Sequence, residues 1–452
     1  MKTRIIVVRH GESTFNVKRI IQGHHDESTL TDVGEQQARQ VGEILSSIAF
    51  DAVYCSPLKR AHRTAELIVE TLRAKHPQTP KQQPKDTLKE ISLPLWEAMS
   101  FTDVEAQYPD EYHAWRNQPE DLKMQIPDGS STREFYPVRA VWEQAAEFWQ
   151  ALLTQHTDQT ILVVAHSAIN RALIGSAVGL GPEALNRLYQ ANCGISVLNF
   201  TGPWGQPAQL ESLNLTAHTG RPLPSLRAGF KGPRLLLVRH GETNWNRDKR
   251  FQGQIDVPLN ENGRTQATQA AEFLKAVPIQ GAVSSSLLRP KETAEKILKY
   301  HPEVTLEVTE GLWEISHGLW EGKFEHEIEA SYPGMLAQWQ AAPETVQMPE
   351  GENLQQVWDR AVMAWDKIVA DYSGHDMPQT ILVSAHDAIN KAILCYVTGL
   401  APEAFWQFKQ GNGAVSVIDY PSGAGSPPML SAANLTTHLS GSIFDMTAAG
   451  AL

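Results

Sequence analysis

The sequence predicts an α/β fold built twice: two tandem three-layer α/β/α domains, each with a mainly parallel central sheet flanked by helices. Three observations lead to this prediction. The chain has 452 residues, which is too long for one compact core. Several sequence blocks recur in the same order in the two halves. Within each half, short apolar runs alternate with segments of helical periodicity.

The repeat is visible in long blocks. RIIVVRHGESTFN (4–16) corresponds to RLLLVRHGETNWN (234–246), at an offset of 230 positions, 240 − 10 for the histidines. Further along, ILVVAHSAINRALI (161–174) corresponds to ILVSAHDAINKAIL (381–394), at an offset of 220, 386 − 166. An offset that drifts slowly over ordered blocks indicates one ancestral unit with small insertions and deletions.

The two copies predict two domains, residues 1–220 and residues 234–452, joined by a linker at 221–233. The linker reads RPLPSLRAGFKGP and is rich in proline, glycine and basic residues. That composition is typical of a segment that connects domains without joining either core.

Each half predicts the same order of elements. Residues 5–8 and 235–238 are continuous apolar runs, as expected for strands buried on both faces of a parallel sheet. The first half then predicts a helix over 34–48, a strand over 51–55, a helix over 61–70, a strand over 161–165 and a helix over 168–178. Strands that alternate with helices indicate a parallel sheet, whose ligand sites lie at the carboxyl ends of the strands.

Composition and charge exclude several classes. The formal net charge of -12 argues against a nucleic-acid partner, because a phosphate backbone needs a basic face. No window of 18 apolar residues could cross a membrane, and residues 1–10 lack the apolar region of a signal peptide. We expect Cys55, Cys193 and Cys395 to be buried reduced thiols. The sequence therefore predicts a cytoplasmic protein without a membrane partner.

Both halves carry the same five charged or titratable residues next to predicted strands and helices. They are Arg9, His10, Arg60, Glu90 and His166 in the first half, and Arg239, His240, Arg289, Glu314 and His386 in the second. Two histidines, two arginines and one carboxylate at one sheet edge form a cationic cage around an oxyanion. Phosphoryl transfer needs such a cage, because its catalysis consists mostly of positioning and charge neutralisation. Structural ion pairs copied by duplication are the alternative.

In these motifs both halves resemble the histidine phosphatase superfamily, in its phosphoglycerate-mutase-like branch. The shared motifs are Arg-His-Gly-Glu-x-x-x-Asn, Ser-x-Leu-x-Arg-x-x-x-Thr-Ala, the acid Glu and the second His. The resemblance implies a phosphohistidine on His10 and His240, proton donation by Glu90 and Glu314, and neither a metal ion nor a cofactor. It implies phosphate binding by Arg9, Asn16, Arg60 and His166, and by Arg239, Asn246, Arg289 and His386.

The first half also resembles the plant 2-carboxy-D-arabinitol-1-phosphatases, in the run IPDGSSTREFYPVRAVWEQA and in ANCGISVLNF. We expect a phosphomonoesterase whose partner is a small phosphorylated metabolite, either a sugar phosphate or a sugar-acid phosphate. A phosphoglycerate mutase, an α-ribazole phosphatase and a non-catalytic regulatory module stay open as alternatives. The mutases follow the acid Glu with a basic and aromatic run that positions 91–92 and 315–316 lack, which favours hydrolysis. The sequence leaves the oligomeric state open.

The two halves differ near the expected sites. Pro94 and Ala98 stand where the second half has Gly318 and Gly322. Between the Pro-Asp/Glu-Gly turn and the next helical Trp, the first half has six extra residues, 15 − 9, and we expect Arg133 and Tyr136 in a loop over the site. Either the two sites differ in substrate preference, or the loops have drifted neutrally.

Overall fold

The structure is a computed structural model and describes residues 2–448. The chain divides into two compact units, Met1–Pro224 and Ser225–Leu452. Each unit is an α/β structure in which helices flank a mainly parallel central sheet. The predicted fold class is therefore confirmed. The finer bounds of the two domains and of the linker stay a prediction.

The first unit contains a six-stranded sheet and a separate hairpin. The strands are β1 (Thr3–Arg9), β2 (Ala52–Cys55), β3 (Gln83–Pro84), β4 (Met124–Asp128), β5 (Ser131–Phe135), β6 (Thr160–Ala165), β7 (Ile195–Phe200) and β8 (Gln209–Leu215). The helices are α1 (Thr14–Lys18), α2 (Asp32–Ile44), α3 (Lys59–Arg73), α4 (Phe101–Gln107), α5 (Pro109–Asn117), α6 (Pro137–Gln155) and α7 (Ser167–Ala177). The sheet order is β8-β7-β1-β6-β2-β3, and β7 runs in the opposite direction to the other five strands.

The second unit repeats this topology. Its strands are β9 (Arg234–Arg239), β10 (Gly281–Ser285), β11 (Leu306–Thr309), β12 (Thr380–Ala385), β13 (Val415–Asp419) and β14 (Met429–Leu435). Its helices are α8 (Asn244–Asp248), α9 (Glu261–Leu274), α10 (Leu288–Leu298), α11 (Glu325–Ser331), α12 (Met335–Ala341), α13 (Leu354–Asp371), α14 (Asp387–Thr398) and α15 (Thr437–Ser440). The sheet order is β14-β13-β9-β12-β10-β11, with β13 as the antiparallel strand between β9 and β14.

Local sequence explains where these elements begin. The strands at the sheet centre are continuous apolar runs whose side chains are almost fully buried. Helix α2 begins after Thr31, whose hydroxyl accepts a hydrogen bond from the backbone N–H of Gly34. The helix predicted over 34–48 therefore starts two residues earlier, at Asp32, and ends at Ile44.

Parallel pairing sets the position of the site. Strands β1 and β6 pair in a register that ends with Arg9 opposite Ala165. Strands β9 and β12 pair in the same way and end with Arg239 opposite Ala385. In each unit the next residue of both strands is a histidine. Two histidines therefore emerge side by side at the carboxyl edge of each sheet.

The segment predicted as a loop over the site is instead a β-hairpin, so this expectation was wrong in form. Strands β4 and β5 pair antiparallel across a two-residue connection in which Gly129 has a φ of +61°. A glycine at the first position of a two-residue connection supplies the positive φ that this tight turn needs. The Arg133 guanidinium lies 5.9 Å from the Phe135 ring, and the Tyr136 hydroxyl donates to Glu134. These contacts stay within the hairpin.

Two further expectations concern the cysteines and membrane-spanning helices. Cys55, Cys193 and Cys395 are buried and form no disulfide, as predicted. Within residues 2–448, no helix is both long enough and apolar enough to cross a membrane.

Candidate active site

The two histidines at each sheet edge are in ring contact. The ring centroids of His10 and His166 lie 5.2 Å apart, with an interplanar angle of 61°. The pair His240 and His386 repeats this arrangement at 5.2 Å and 68°. All four side chains are buried. The structure thus brings together the histidines that the sequence placed at separate strand ends.

The first histidine of each pair has a defined tautomer. His10 Nδ1 lies 2.7 Å from the carbonyl oxygen of Gly11, and His240 Nδ1 lies 2.7 Å from that of Gly241. A carbonyl oxygen only accepts, so the proton is on Nδ1 and the lone pair is on Nε2. Burial, followed by the charges of Arg9 and Arg60, holds the pKa of His10 well below its usual range.

The second histidine has one satisfied and one unsatisfied nitrogen. His166 Nε2 lies 2.7 Å from Ser56 Oγ, and His386 Nε2 lies 2.9 Å from Ser285 Oγ. Nδ1 of both histidines is buried without a hydrogen-bond partner in the described part of the chain. Burial, together with the neighbouring arginine of helix α3 or α10, keeps the pKa of each imidazole well below 6.5.

The cage arginines are fixed by backbone carbonyls. Arg60 donates from Nη1 to His25 O at 3.1 Å and from Nη2 to Gly23 O at 2.9 Å. Arg9 Nη1 donates to Gln190 O at 2.8 Å. These bonds occupy Nη1 of Arg9 and one N–H on each Nη of Arg60, while Nε of Arg9 and of Arg60 is buried and unpartnered among residues 2–448.

The second unit holds its arginines in the same way. Arg289 donates to the carbonyls of Ile255 and Gly253 at 3.1 and 2.7 Å, and Arg239 donates to Gln410 O at 2.5 Å. Here the Arg289 Nε–H also points at His240 Nε2, 3.2 Å away. The Arg289 guanidinium therefore lies against the unprotonated nitrogen of the His240 ring.

The predicted acid of each unit caps the helix that follows the second histidine. Glu90 Oε1 accepts from the backbone N–H groups of Ala168 and Ile169, at 3.0 and 3.1 Å. Glu314 accepts from Asp387 and Ala388 in the same manner, at 3.1 Å for each. Burial, and next the charge of Asp387, raise the pKa of Glu314. The sequence did not predict that each acid lies at a helix N-terminus.

Asn16 and Asn246 lie at the same edge, but their oxygens are occupied. Asn16 Oδ1 accepts from Ser13 N at 3.1 Å and from Asn192 Nδ2 at 3.1 Å. Asn246 Oδ1 accepts from Thr243 N and Asn412 Nδ2 in equivalent bonds, at 3.1 and 3.3 Å. Only the amide nitrogen of each is left to donate to a ligand oxygen.

Sequence reasoning missed a supporting set of polar residues. Asn192 also donates to the carbonyls of His10 and Gly11, at 3.0 and 3.2 Å, which fixes the turn after β1. Thr64 accepts from the N–H of Gly11 at 3.1 Å. The same roles recur at Asn412 and Thr293. The signal that could have found the asparagines is their own repeat, at an offset of 220, 412 − 192.

The arrangement suits an anion with several oxygens. Around each neutral histidine lie positively charged guanidinium groups and buried N–H donors that lack protein acceptors. Leaving such a donor unsatisfied costs about 1–3 kcal/mol, which a bound oxyanion would offset. No group of three or more His, Cys, Asp or Glu side chains that could hold a metal ion occurs in residues 2–448.

The chain is similar in sequence to several known phosphatases. The 2-carboxy-D-arabinitol-1-phosphatase of Triticum aestivum is 30% identical to this chain and covers 96% of it, matching 86% of its own length. A probable enzyme of the same name from Arabidopsis thaliana is 30% identical, with 96% and 88% covered. Phosphoserine phosphatase 1 of Hydrogenobacter thermophilus is 32% identical over 41% of this chain and 85% of its own length.

The family model of the histidine phosphatase superfamily, branch 1, matches two segments, residues 5–214 and residues 235–430. Each segment contains one complete set of the cage residues described above. The chain therefore belongs to the histidine phosphatase superfamily, branch 1, and carries the family's unit twice.

Proposed function

We propose that the protein is a metal-independent phosphomonoesterase that hydrolyses small sugar phosphates or sugar-acid phosphates through a phosphohistidine intermediate. Family membership and the phosphatase relatives support the coarser statement, a phosphatase that acts on a small phosphorylated metabolite. One observation carries the mechanism: a neutral imidazole, His10, lies among the unpartnered buried donors Arg9 Nε, Arg60 Nε and His166 Nδ1. Three donors match the three terminal oxygens of a phosphate monoester.

In the first step, His10 Nε2 attacks phosphorus, and a P–N bond forms as the P–O bond to the leaving group breaks. The lone pair on Nε2 makes the neutral imidazole a competent nucleophile. Arg9, Arg60, His166 and the amide nitrogen of Asn16 hold the phosphoryl oxygens. Because these donors are fixed before the substrate arrives, they stabilise the developing charge without reorganisation. In the second unit the corresponding residues are Arg239, His240, Asn246, Arg289 and His386.

Glu90 and Glu314 act as the general acids. Each gives its proton to the leaving alkoxide, which departs slowly at neutral pH when unprotonated. The resulting carboxylate then takes a proton from a water molecule, and that water attacks the phosphohistidine. Inorganic phosphate is released and the neutral histidine is restored. In the second unit, burial raises the pKa of Glu314, a shift in the direction that a proton donor needs.

Hydrolysis is favoured over transfer to a second substrate. Relatives that match 96% of the chain carry the name of a phosphatase. The acid of each unit is followed by Ile-Ser, without the basic and aromatic run of the mutases. A phosphoglycerate mutase and an α-ribazole phosphatase remain the competing assignments, and both are distinguished by substrate. A non-catalytic module would bind phosphate esters without turnover.

The experiment is a phosphate-release assay on a panel of esters. The panel contains 2-carboxy-D-arabinitol 1-phosphate, sugar phosphates, α-ribazole phosphate and 3-phosphoglycerate, the last with and without 2,3-bisphosphoglycerate. We expect release from sugar or sugar-acid esters at an unchanged rate in excess chelator. Transfer that requires the bisphosphate, activity restored only by a divalent ion, or no turnover of any ester would contradict the proposal.

A further inference from the structure

One buried charge distinguishes the two cages. The residue after the second histidine is Ser167 in the first unit and Asp387 in the second. Asp387 is buried, and its Oδ2 lies 3.8 Å from Arg239 Nη1 and 3.1 Å from Lys391 Nζ. Its Oδ1 is also buried and has no hydrogen-bond partner in the described chain. The second cage therefore contains an extra carboxylate in direct contact with a phosphate-binding arginine.

The cation paired with Asp387 has a counterpart in the first unit, but the carboxylate does not. Lys391 corresponds to Arg171, whose Nε donates to the backbone oxygen of Ser167 at 3.3 Å. Arg9 forms no ion pair within 4 Å among residues 2–448, whereas Arg239 does. The first cage thus keeps every cation of the second and lacks one buried negative charge.

The exposed residues beside the cage arginine also make the first unit more positive than the second. Lys59 precedes Arg60, and its ammonium forms no ion pair with any described residue. Leu288 precedes Arg289 and is 49% exposed. Ile255, whose carbonyl holds Arg289, is 45% exposed and replaces His25 of the first unit.

The remaining charged groups near these positions do not cancel the difference. Asp26 and Asp256 are common to both units and accept the backbone N–H of the residue before the cage arginine. Glu27 lies 4.0 Å from His25 and is highly exposed, so solvent screens its charge. Asp387 is buried, where solvent screens a charge far less than at the surface.

We propose that Asp387 separates the two sites by leaving-group charge: the second site acts on phosphomonoesters whose leaving group is uncharged, and the first also accepts leaving groups that carry a carboxylate or a second phosphate. This inference rests on the proposed hydrolysis in both units. A carboxylate held close to the scissile phosphate would approach Asp387 in the second cage and meet repulsion. In the first cage it would meet the Ser167 hydroxyl in place of a carboxylate.

The test compares two esters that differ at one carbon, which is a hydroxymethyl group in glycerol 3-phosphate and a carboxylate in 3-phosphoglycerate. The single variant His240→Ala reports the first site, and His10→Ala reports the second. The readout is the ratio of kcat/KM for glycerol 3-phosphate to kcat/KM for 3-phosphoglycerate, from phosphate release. We expect this ratio to be at least about tenfold higher at the second site.

Swapped residues then test the cause. In the His10→Ala protein, Asp387→Asn keeps the shape and removes the charge, and should lower the ratio about tenfold. The double variant Asp387→Ser/Lys391→Arg copies the pair found in the first unit and avoids leaving Lys391 buried without a partner. In the His240→Ala protein, Ser167→Asp should raise the ratio.

Equal ratios at the two sites, or an unchanged ratio in both Asp387 variants, would overturn the inference while leaving hydrolysis intact. If neither single-site protein releases phosphate from either ester or from the panel above, hydrolysis itself fails, and the inference fails with it. The two failures are thus distinguishable.

Discussion

His10 donates its Nδ1 proton to the carbonyl oxygen of Gly11, 2.7 Å away, and this short bond inside one turn decides which nitrogen can react. The acceptor comes from the residue next in sequence, so the bond does not depend on a distant partner. Asn192 in turn donates to the same carbonyl oxygen at 3.2 Å. The lone pair on Nε2 therefore faces the cage that Arg9, Arg60 and His166 line.

The first prediction concerns the protonation of this imidazole. Burial and two neighbouring guanidinium groups lower the pKa of His10 well below 6.5, so its neutral form persists as the pH falls through that value. In nitrogen-correlated NMR spectra of histidine-labelled protein, the His10 ring, assigned by comparison with His10→Ala, should keep the Nδ1–H tautomer from pH 8 to pH 5.5. The His10→Ala protein, whose spectrum lacks this ring signal, is the control. A His10 midpoint close to 6.5 would contradict the account.

A second prediction concerns the proton donor of the first site. Replacing Glu90 by Gln, in a His240→Ala background, keeps the shape of the side chain and removes its proton. Turnover of a sugar phosphate should fall by about 10²-fold or more, as for the loss of a general acid. An aryl phosphate should lose far less, because its phenolate leaves unaided. Equal losses on the two substrates would mean that Glu90 only caps helix α7.

A third prediction concerns backbone strain beside the first site. Ala98 has a φ of +67°, in the left-handed region that Gly322 occupies with a φ of +79° in the second unit. The strain costs Ala about 1–2 kcal/mol, and the extra freedom of unfolded Gly offsets about half of this. Ala98→Gly should therefore stabilise the protein by about 0.5–1 kcal/mol, read as a higher melting temperature in calorimetry.

The reciprocal change should have the opposite sign. Gly322→Ala introduces the strain and places a Cβ 3.3 Å from the Trp245 ring, so the melting temperature should fall. Ala151→Gly, at an exposed position in helix α6, is the control and should cost about 1 kcal/mol. If Ala98→Gly lowers the melting temperature as the control does, strain at Ala98 is not the governing factor.

The fold was predictable because the two halves of the chain repeat the same motifs and could be compared with each other. The recurrence of the Arg-His-Gly-Glu block at positions 9–12 and 239–242 identified strand ends in both units, and apolar runs fixed the strands themselves. Parallel pairing then required the histidines to meet, as they do at 5.2 Å in each unit. The sequence therefore identified the site residues that are charged or titratable and that recur in both halves.

The parts that escaped prediction depend on contacts between distant positions. Asn192 lies 182 positions from His10 and carries no charge, so only the fold reveals their hydrogen bond. The cap that Glu90 forms on helix α7 requires a segment 78 positions away. In place of the hairpin over 124–135, the described part of the second unit has an isolated antiparallel bridge between Gln347 and Asn353, so the repeat gave no information about the hairpin.

The central claim is that a covalent phosphohistidine forms, and a rapid-quench experiment tests it directly. Enzyme mixed with a radiolabelled substrate, quenched in base within milliseconds and digested, should carry acid-labile, base-stable phosphate on the peptides that contain His10 or His240. Each label should disappear in the matching Ala variant. The His10→Ala/His240→Ala protein should carry no label and release no phosphate. Full turnover by that double variant would contradict the account.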